Sequence, residues 1–479
     1  MAEETSSKLE IAMFPWFAFG HFIPYMQLSN KFAEKGHQIS FLLPTKASNQ
    51  LNHLNLHPNL IKFHQLTVPQ VEGLPPGTET VSYVPVHRHN LLALAMDLMR
   101  DQVKELLKKL NPDVVFYDFA YWIPELASEI GFKTVSFNVV SAAAIAYMIV
   151  PPRHVSKDRP FTDEELMHPP PGYPSSVLTR NKREAKELHT VLNREFGKGI
   201  TFYDRIKTSL MKSDVISMRT CRELEGPFCD YLSSEYNKPV LLTGPLLPEP
   251  GKQSLENRWV KWLDAFEPGT VVFCAFGSQS YLEKDQFQEL VLGFELTGKP
   301  FFVVLKPPVG AATVEEALPE GFENRTRGKG IVFEGWLQGL PYVLSHPSVG
   351  CFVNHCGFGS MWESLMSDTQ IVLIPQLRDQ KLITRLLVAE FKVAVEVEVE
   401  EDKNGWISKE NLCRAINRVM DQDSEIRWLV KDNHTKLREI IGKPSFTSDY
   451  AERFIQNLGA LCGPFAPDTK GYYTSPTYP

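Results

Sequence analysis

Short apolar runs, each followed by a turn and then by apolar residues at helical spacing, recur along this chain. The first run covers residues 9–14 and is broken by 15–20. From His21 onward, Ile23, Met26, Leu28, Phe32 and Ala33 recur on one helix face. Gly36 follows Lys35 as a C-cap, and 39–43 is the next strand. Further strands are predicted at 60–63, 114–117 and 134–137, with a helical stretch over 91–110. Buried strands alternating with helices imply a mainly parallel sheet covered on both faces.

The pattern restarts after residues 244–251, a run of Gly, Pro, Leu and Glu that reads as an interdomain linker. Strands are predicted anew at 271–276, 301–305, 331–333, 349–353, 371–374 and 393–397. The expected fold class is α/β, with two Rossmann-like domains facing a crevice at the carboxyl ends of their strands. The expected boundaries are a first domain over 1–243, a linker over 244–256 and a second domain over 257–445. Residues 446–479 are expected to form a C-terminal helix and tail that pack back on the first domain. The Pro- and charge-rich stretch 153–186 reads as a surface excursion, and the tail from Gly463 as extended and poorly packed.

Composition narrows the classes. Of 479 residues, 43% are hydrophobic and 22% charged, the balance of a globular protein. Lys+Arg 50 against Asp+Glu 57 gives a net charge of −7, which argues against a nucleic-acid or anionic-membrane binder. Seven scattered cysteines with no C-x-x-C pair read as reduced thiols, not as a zinc site or a disulfide framework. The acidic start Met1-Ala2-Glu3-Glu4 lacks the features of a signal peptide, and the apolar stretch 139–150 is too short to span a bilayer. The N-x-T sequons at Asn324 and Asn433 are read as chance matches. A cytoplasmic monomer without an integral membrane segment is expected.

Candidate chemistry lies at strand ends. His21 opens the first helix directly after a strand and a glycine-containing loop, where a neutral imidazole can take a proton from a hydroxyl. A histidine that merely bonds nearby backbone is the competing reading. Asp118 ends the run Val114-Val115-Phe116-Tyr117 and there can hold the imidazole's tautomer and stabilise the imidazolium, or simply cap the next helix. In the second half, Asn354-His355-Cys356-Gly357-Phe358-Gly359-Ser360 reads as a strand end, a glycine turn and a helix start. The helix start near Ser360 is suited to phosphate, with His355 and the Ser360 hydroxyl as added donors. It is neither a Walker A motif nor G-x-G-x-x-G, which counts against an NAD-type oxidoreductase.

Glu363, one turn further, can accept two vicinal ribose hydroxyls or close a capping box on Ser360. Trp336 is suited to stacking on a base or to core packing. Asp379 and Gln380 follow the strand at 371–374 and can bond sugar hydroxyls, while Gly277-Ser278 forms a second donor loop. Asp421-Gln422-Asp423 spells D-x-D but sits in a polar stretch after a helix, so a solvated loop is expected.

Residues 336–380 resemble the C-terminal signature box of plant UDP-sugar-dependent glycosyltransferases. The matching pieces are Trp336, Ser345-His346-Pro347, Val349-Gly350, His355-Cys356-Gly357, Ser360, Glu363-Ser364-Leu365, Pro375 and Asp379-Gln380. Gly20-His21-x-x-Pro24 and the Asp118 strand end extend the resemblance to the first half. It implies the GT-B fold and inverting transfer of a sugar from UDP to an acceptor hydroxyl, with the UDP-sugar as co-substrate and no cofactor or metal. By position, His21 is then the base and Asp118 its partner. Trp336 would stack on uracil, with Leu337, Gln338 and Ser278 in the same donor-binding set. His355, Gly359 and Ser360 would hold the diphosphate, Glu363 the ribose, and Asp379 and Gln380 the sugar.

Two departures refine this. Phe358-Gly359 stands where most members have Trp-Asn. Together with Ala18-Phe19-Gly20-His21-Phe22-Ile23-Pro24, it is similar to the subgroup that lengthens sugar chains on flavonoid, anthocyanin or terpenoid glycosides. The segment from Trp336 to Pro341 is one residue longer than usual, so the family's ribose-binding Gln maps to Gln338 or Gly339. The expected partners are a UDP-sugar and a small glycoside acceptor. The alternatives are first-sugar transfer to an aglycone and non-catalytic UDP-sugar binding.

Overall fold

The computed structural model describes residues 8–153, 159–247, 255–277, 282–335, 337, 339–400, 403 and 405–462. It separates into two compact units, one of 1–247 with 444–479 and one of 248–443.

The first unit holds a seven-stranded parallel sheet. Its strands are β1 (Glu10–Phe14), β2 (Gln38–Pro44), β3 (Ile61–Leu66), β4 (Val114–Tyr117), β5 (Lys133–Asn138), β6 (Val215–Met218) and β7 (Val240–Leu242). The order is β3-β2-β1-β4-β5-β6-β7, so β1 and β4 are neighbours although β2 and β3 lie between them in the chain. The second unit holds β8 (Val271–Ala275), β9 (Phe301–Leu305), β10 (Gly330–Glu334), β11 (Val349–Asn354), β12 (Gln370–Leu373) and β13 (Val395–Glu396), ordered β10-β9-β8-β11-β12-β13. Each sheet therefore reverses direction between its first and fourth strands. At that switch point two consecutive loops diverge and leave room for a ligand. The two-domain α/β class expected from the pattern is the one observed.

Strands β4, β8 and β9 are buried from end to end, as expected inside parallel sheets sandwiched by helices, whereas the edge strands β3 and β10 are partly exposed. The helix Phe19–Glu34 covers one face of the first sheet with Phe22, Tyr25, Met26, Leu28 and Phe32. The helix Phe446–Cys462 belongs to the same unit. Its Phe454 packs on Phe32 at 6.1 Å and on Phe116 at 6.3 Å between ring centroids.

Several expectations are corrected. The stretch 91–110 is two helices, His89–Leu98 and Arg100–Leu110, broken at Met99. The described part of 153–186 is a surface segment, but an anchored one: Arg153 and Arg180 are buried, as are Leu166 and Leu178, and the two guanidinium groups lie over the ring of Tyr147. Its prolines and charges are accommodated because Arg153 donates to the carbonyls of Tyr147, Glu165 and His168. Strands β6 and β7 complete the first sheet beyond the five runs expected. Leu246 within the expected linker is buried on the first unit, and residues 248–254 lie outside the described residues, as does the tail from Gly463. Among the described residues no helix is long and apolar enough to cross a membrane.

Candidate active site

The switch point of the first sheet carries the His–Asp pair. Strand β1 ends at Phe14, and the turn through Trp16 leads into a helix whose third residue is His21. Strand β4 ends at Tyr117, which puts Asp118 beside that turn. His21 Nδ1 and Asp118 Oδ2 are 2.6 Å apart, across 97 residues of sequence. Asp118 Oδ1 accepts the N–H of Trp16 at 2.7 Å and that of Phe119 at 2.6 Å. Neither partner is the cap of a following helix, whose N-cap position is Trp122. Asp118 is 5% exposed and His21 15%, so the carboxylate is shielded while the imidazole keeps an open side.

A carboxylate can only accept. In the neutral imidazole His21 therefore donates from Nδ1, and Nε2 is the nitrogen left to accept. Two backbone N–H groups and one imidazole N–H hold the buried charge in the way a buried carboxylate requires. The Phe119 ring stands edge to face against the imidazole at 5.8 Å and stacks on Trp16 at 5.0 Å, which fixes the loop from which Asp118 projects. Sequence reading missed both Trp16 and Phe119. The partnership of Trp16 was signalled only by its position directly after the first buried run.

At the switch point of the second sheet, β8 ends beside Gly277 and β11 ends in the turn His355-Cys356-Gly357. Asn354 is fully buried and organises that turn. Its Oδ1 accepts the N–H of Cys356 at 2.9 Å, and its Nδ2 donates to Ser364 Oγ at 3.1 Å. Ser364 Oγ in turn donates to the Ser360 carbonyl at 2.7 Å. Cys356 is held at φ +56°, a strained value for a side-chain-bearing residue, and this network is what holds it there.

The helix Phe358–Met366 starts two residues earlier than expected, with Gly357 at the N-cap. Its first intrahelical bond runs from the Met361 N–H to the Gly357 carbonyl at 2.8 Å. The amides of Phe358, Gly359 and Ser360 precede it and have no intrahelical acceptor. Ser360 is thus inside the first turn, so the Ser360–Glu363 capping box is not built and both side chains belong to the helix surface.

His355 is enclosed by glycines. A Cβ at Gly357 would lie 2.4 Å from its Nε2, and one at Gly277 would lie 3.0 Å from its Cε1. Burial pushes the imidazole pKa down to about 4, partly opposed by a bond to the Ala275 carbonyl. Near neutral pH His355 is uncharged, and its single N–H is the one that meets the Ala275 carbonyl. A Cβ at Gly359 would meet nothing within 4 Å, so the helix start is open there.

Gln380 is 4% exposed, and its Oε1 accepts the N–H groups of Gln376 at 2.9 Å and Leu377 at 2.8 Å. Its carboxamide oxygen is therefore committed to the loop, and its Nε2 is the group suited to a ligand. Asp379 is half-buried beside it in the first turn of the helix Arg378–Arg385. Leu337 is 7% exposed inside an apolar cluster with Trp259 and Phe352, where its side chain serves packing. Ser278, Trp336 and Gln338 lie outside the described residues. Asp421 is exposed and pairs with Lys299 at 3.1 Å, and the D-x-D is a solvated loop. Among the described residues no group of three or more His, Cys, Asp or Glu side chains is placed to hold a metal ion. All seven cysteines are free thiols.

Residues 315–440 match the family model described as UDP-glucoronosyl and UDP-glucosyl transferase. The chain is 55% identical to UDP-glycosyltransferase 79B3 of Arabidopsis thaliana over 95% of its own length and 98% of that protein's. It is also 55% identical to the anthocyanidin 3-O-glucoside 2'''-O-xylosyltransferase of the same plant, over 95% of this chain and 97% of that one. Among solved structures, UGT89C1 of Arabidopsis thaliana complexed with UDP-L-rhamnose shares the fold with a TM-score of 0.75 at 22% identity, covering 95% of this chain and 100% of the other.

Proposed function

The chain belongs to the UDP-glycosyltransferase family, and from that premise we propose that it lengthens the sugar chain of a flavonoid or terpenoid glycoside, with inversion at the transferred sugar. The observation that carries this reading is the His21–Asp118 contact at 2.6 Å at the switch point of the first sheet.

His21 Nε2 takes the proton of an acceptor hydroxyl while Asp118 steadies the imidazolium that forms. The freed oxygen attacks the anomeric carbon from the face opposite UDP. The bond from that carbon to the diphosphate oxygen breaks, and UDP leaves with the electron pair. The amides and dipole of the helix Phe358–Met366, with the Ser360 hydroxyl, take up the negative charge on the leaving diphosphate. His355 lines the diphosphate site as a neutral imidazole. Glu363 accepts the ribose hydroxyls, Asp379 accepts from the sugar, and Gln380 donates to it through Nε2. Trp336 stacks on uracil, with Gln338, Ser278 and the main chain of Leu337 in the same donor-binding set.

No metal enters this reading, because the charge is met by the helix start. The reduced thiols fit a cytoplasmic enzyme.

Two features support a glycoside as acceptor. One relative at 55% identity is named for adding xylose to an anthocyanidin glucoside. The open space at Gly359 gives a second sugar room that an Asn side chain would take. A site built to bond that sugar rejects an acceptor lacking it, because its polar groups are left unpaired. The test compares kcat/KM for one aglycone and its monoglucoside across several scaffolds with a panel of UDP-sugars. A higher value for the glucoside is expected, and consistent preference for the aglycone would make the protein a first-sugar transferase.

A further inference from the structure

We propose that the buried Asp97–Arg205 ion pair is a positioning device for the His21–Asp118 pair, acting through the main chain of Phe119. It rests on the reading of His21 and Asp118 as base and partner. Arg205 is fully buried and Asp97 is 7% exposed, 108 residues apart in the chain. Every arm of the guanidinium has one acceptor. Nη2 bonds Asp97 Oδ2, Nε bonds the Phe196 carbonyl at 2.7 Å, and Nη1 bonds the Phe119 carbonyl at 2.6 Å. The N–H of Phe119 in turn donates to Asp118, and its ring abuts His21. One residue therefore joins the ion pair to both members of the proposed dyad.

Asp97 completes the clamp. Its Oδ1 accepts Trp122 Nε1 at 3.2 Å and its Oδ2 the N–H of Lys198 at 3.0 Å. The loop after β4 is thus tied at Phe119 by the arginine and at Trp122 by the aspartate. The hairpin that presses on the pair needs Gly197 at φ +105°. A Cβ there would sit 1.9 Å from Arg205 Nη2 and 2.3 Å from Asp97 Oδ2. Burying an ion pair so completely gains little stability by itself. What this one supplies is a fixed backbone directly after Asp118, where small displacements are costly in rate.

Lysine keeps the charge beside Asp97 but cannot reach three acceptors from one planar fork. Arg205→Lys should therefore lower kcat about tenfold, with the donor KM and the calorimetric affinity for UDP unchanged. The deciding measurement is a double-mutant cycle with Asp118→Asn. If Arg205 acts through Asp118, the same change costs less than about twofold in the Asp118→Asn background. An equal fold-loss in both backgrounds, or a folded Arg205→Lys enzyme with wild-type kcat, overturns the proposal. Wild-type turnover in Asp118→Asn alone would sink the base-and-partner reading instead, and the proposal with it. If Arg205→Lys does not fold, the paired change Asp97→Asn with Arg205→Met removes both charges together and enters the same cycle.

Discussion

At the carboxyl edge of the first sheet, β1 and β4 deliver an imidazole and a shielded carboxylate 2.6 Å apart. At the same point of the second sheet, β8 and β11 deliver Gly277 and a turn in which the histidine is neutral and the helix start is unhindered at Gly359. The first site joins side chains from distant segments, each locked by hydrogen bonds. The second is nearly contiguous and works through amides, hydroxyls and the absence of side chains. The difference follows from the work proposed for each. Moving a proton needs a base of defined tautomer, whereas gripping a diphosphate needs many donors at short range.

The contrast breaks most visibly at His21. His21→Ala is expected to cut kcat by about 10²–10⁴-fold while calorimetric UDP affinity stays near wild type. Loss of UDP affinity would mean that the first site also serves the donor. Asp118→Asn keeps the shape but removes the charge, and the expected cost is about 10²-fold in kcat. Unchanged turnover in steady-state assays would reduce Asp118 to a backbone acceptor for Trp16 and Phe119.

A smaller effect separates binding from chemistry in the second site. Glu363→Ala should weaken every UDP-sugar by about tenfold, the worth of a charged hydrogen bond. Titrating several donors would expose a sugar-selective loss, which would move Glu363 from the ribose to the transferred sugar.

His355 sharpens the comparison through stability. The unfolded chain's imidazole takes up a proton near pH 6.5, whereas the folded one stays neutral down to about pH 4. The unfolded state binds more protons in that window. The contribution of His355 is therefore full above about pH 6.5 and is lost as pH falls, at up to about 1.4 kcal/mol per pH unit. Thermal melts should show a smaller drop in Tm from pH 7 to pH 5 for His355→Gln than for wild type. Equal drops would mean the imidazole is not shielded. The smallest expected effect is none: activity should persist in EDTA, and loss restored by Mg²⁺ or Mn²⁺ would revive a role for Asp421 and Asp423.

The two sites also differed in how far they could be read in advance. The second lies within a short span of chain, so spacing alone singled out His355, Gly359, Ser360 and Glu363 as candidates. It misplaced the cap, because Ser-x-x-Glu suggested a helix start that Gly357 takes instead. The first sheet was readable wherever strands were long apolar runs. Strand β7 has only three residues, and neither it nor β6 was singled out. His21 and Asp118 were visible as strand-end residues, yet their contact depends on β4 lying beside β1. Nothing local marks Asp97 or Arg205, each of which sits in a helix and acquires its role only from tertiary packing.

The helix Phe446–Cys462 has a consequence for biosynthesis. Its Phe454 and Leu458 are fully buried in the core of the first unit, but they are made only after all of residues 248–443. At a synthesis rate of about 5–20 residues per second, the nascent first unit waits on the order of ten to forty seconds with the apolar surface at Phe32 and Phe116 uncovered. The second unit, continuous in the chain, has no such gap. Order of emergence from the ribosome therefore runs opposite to order of completion: the half that begins first is the last to close.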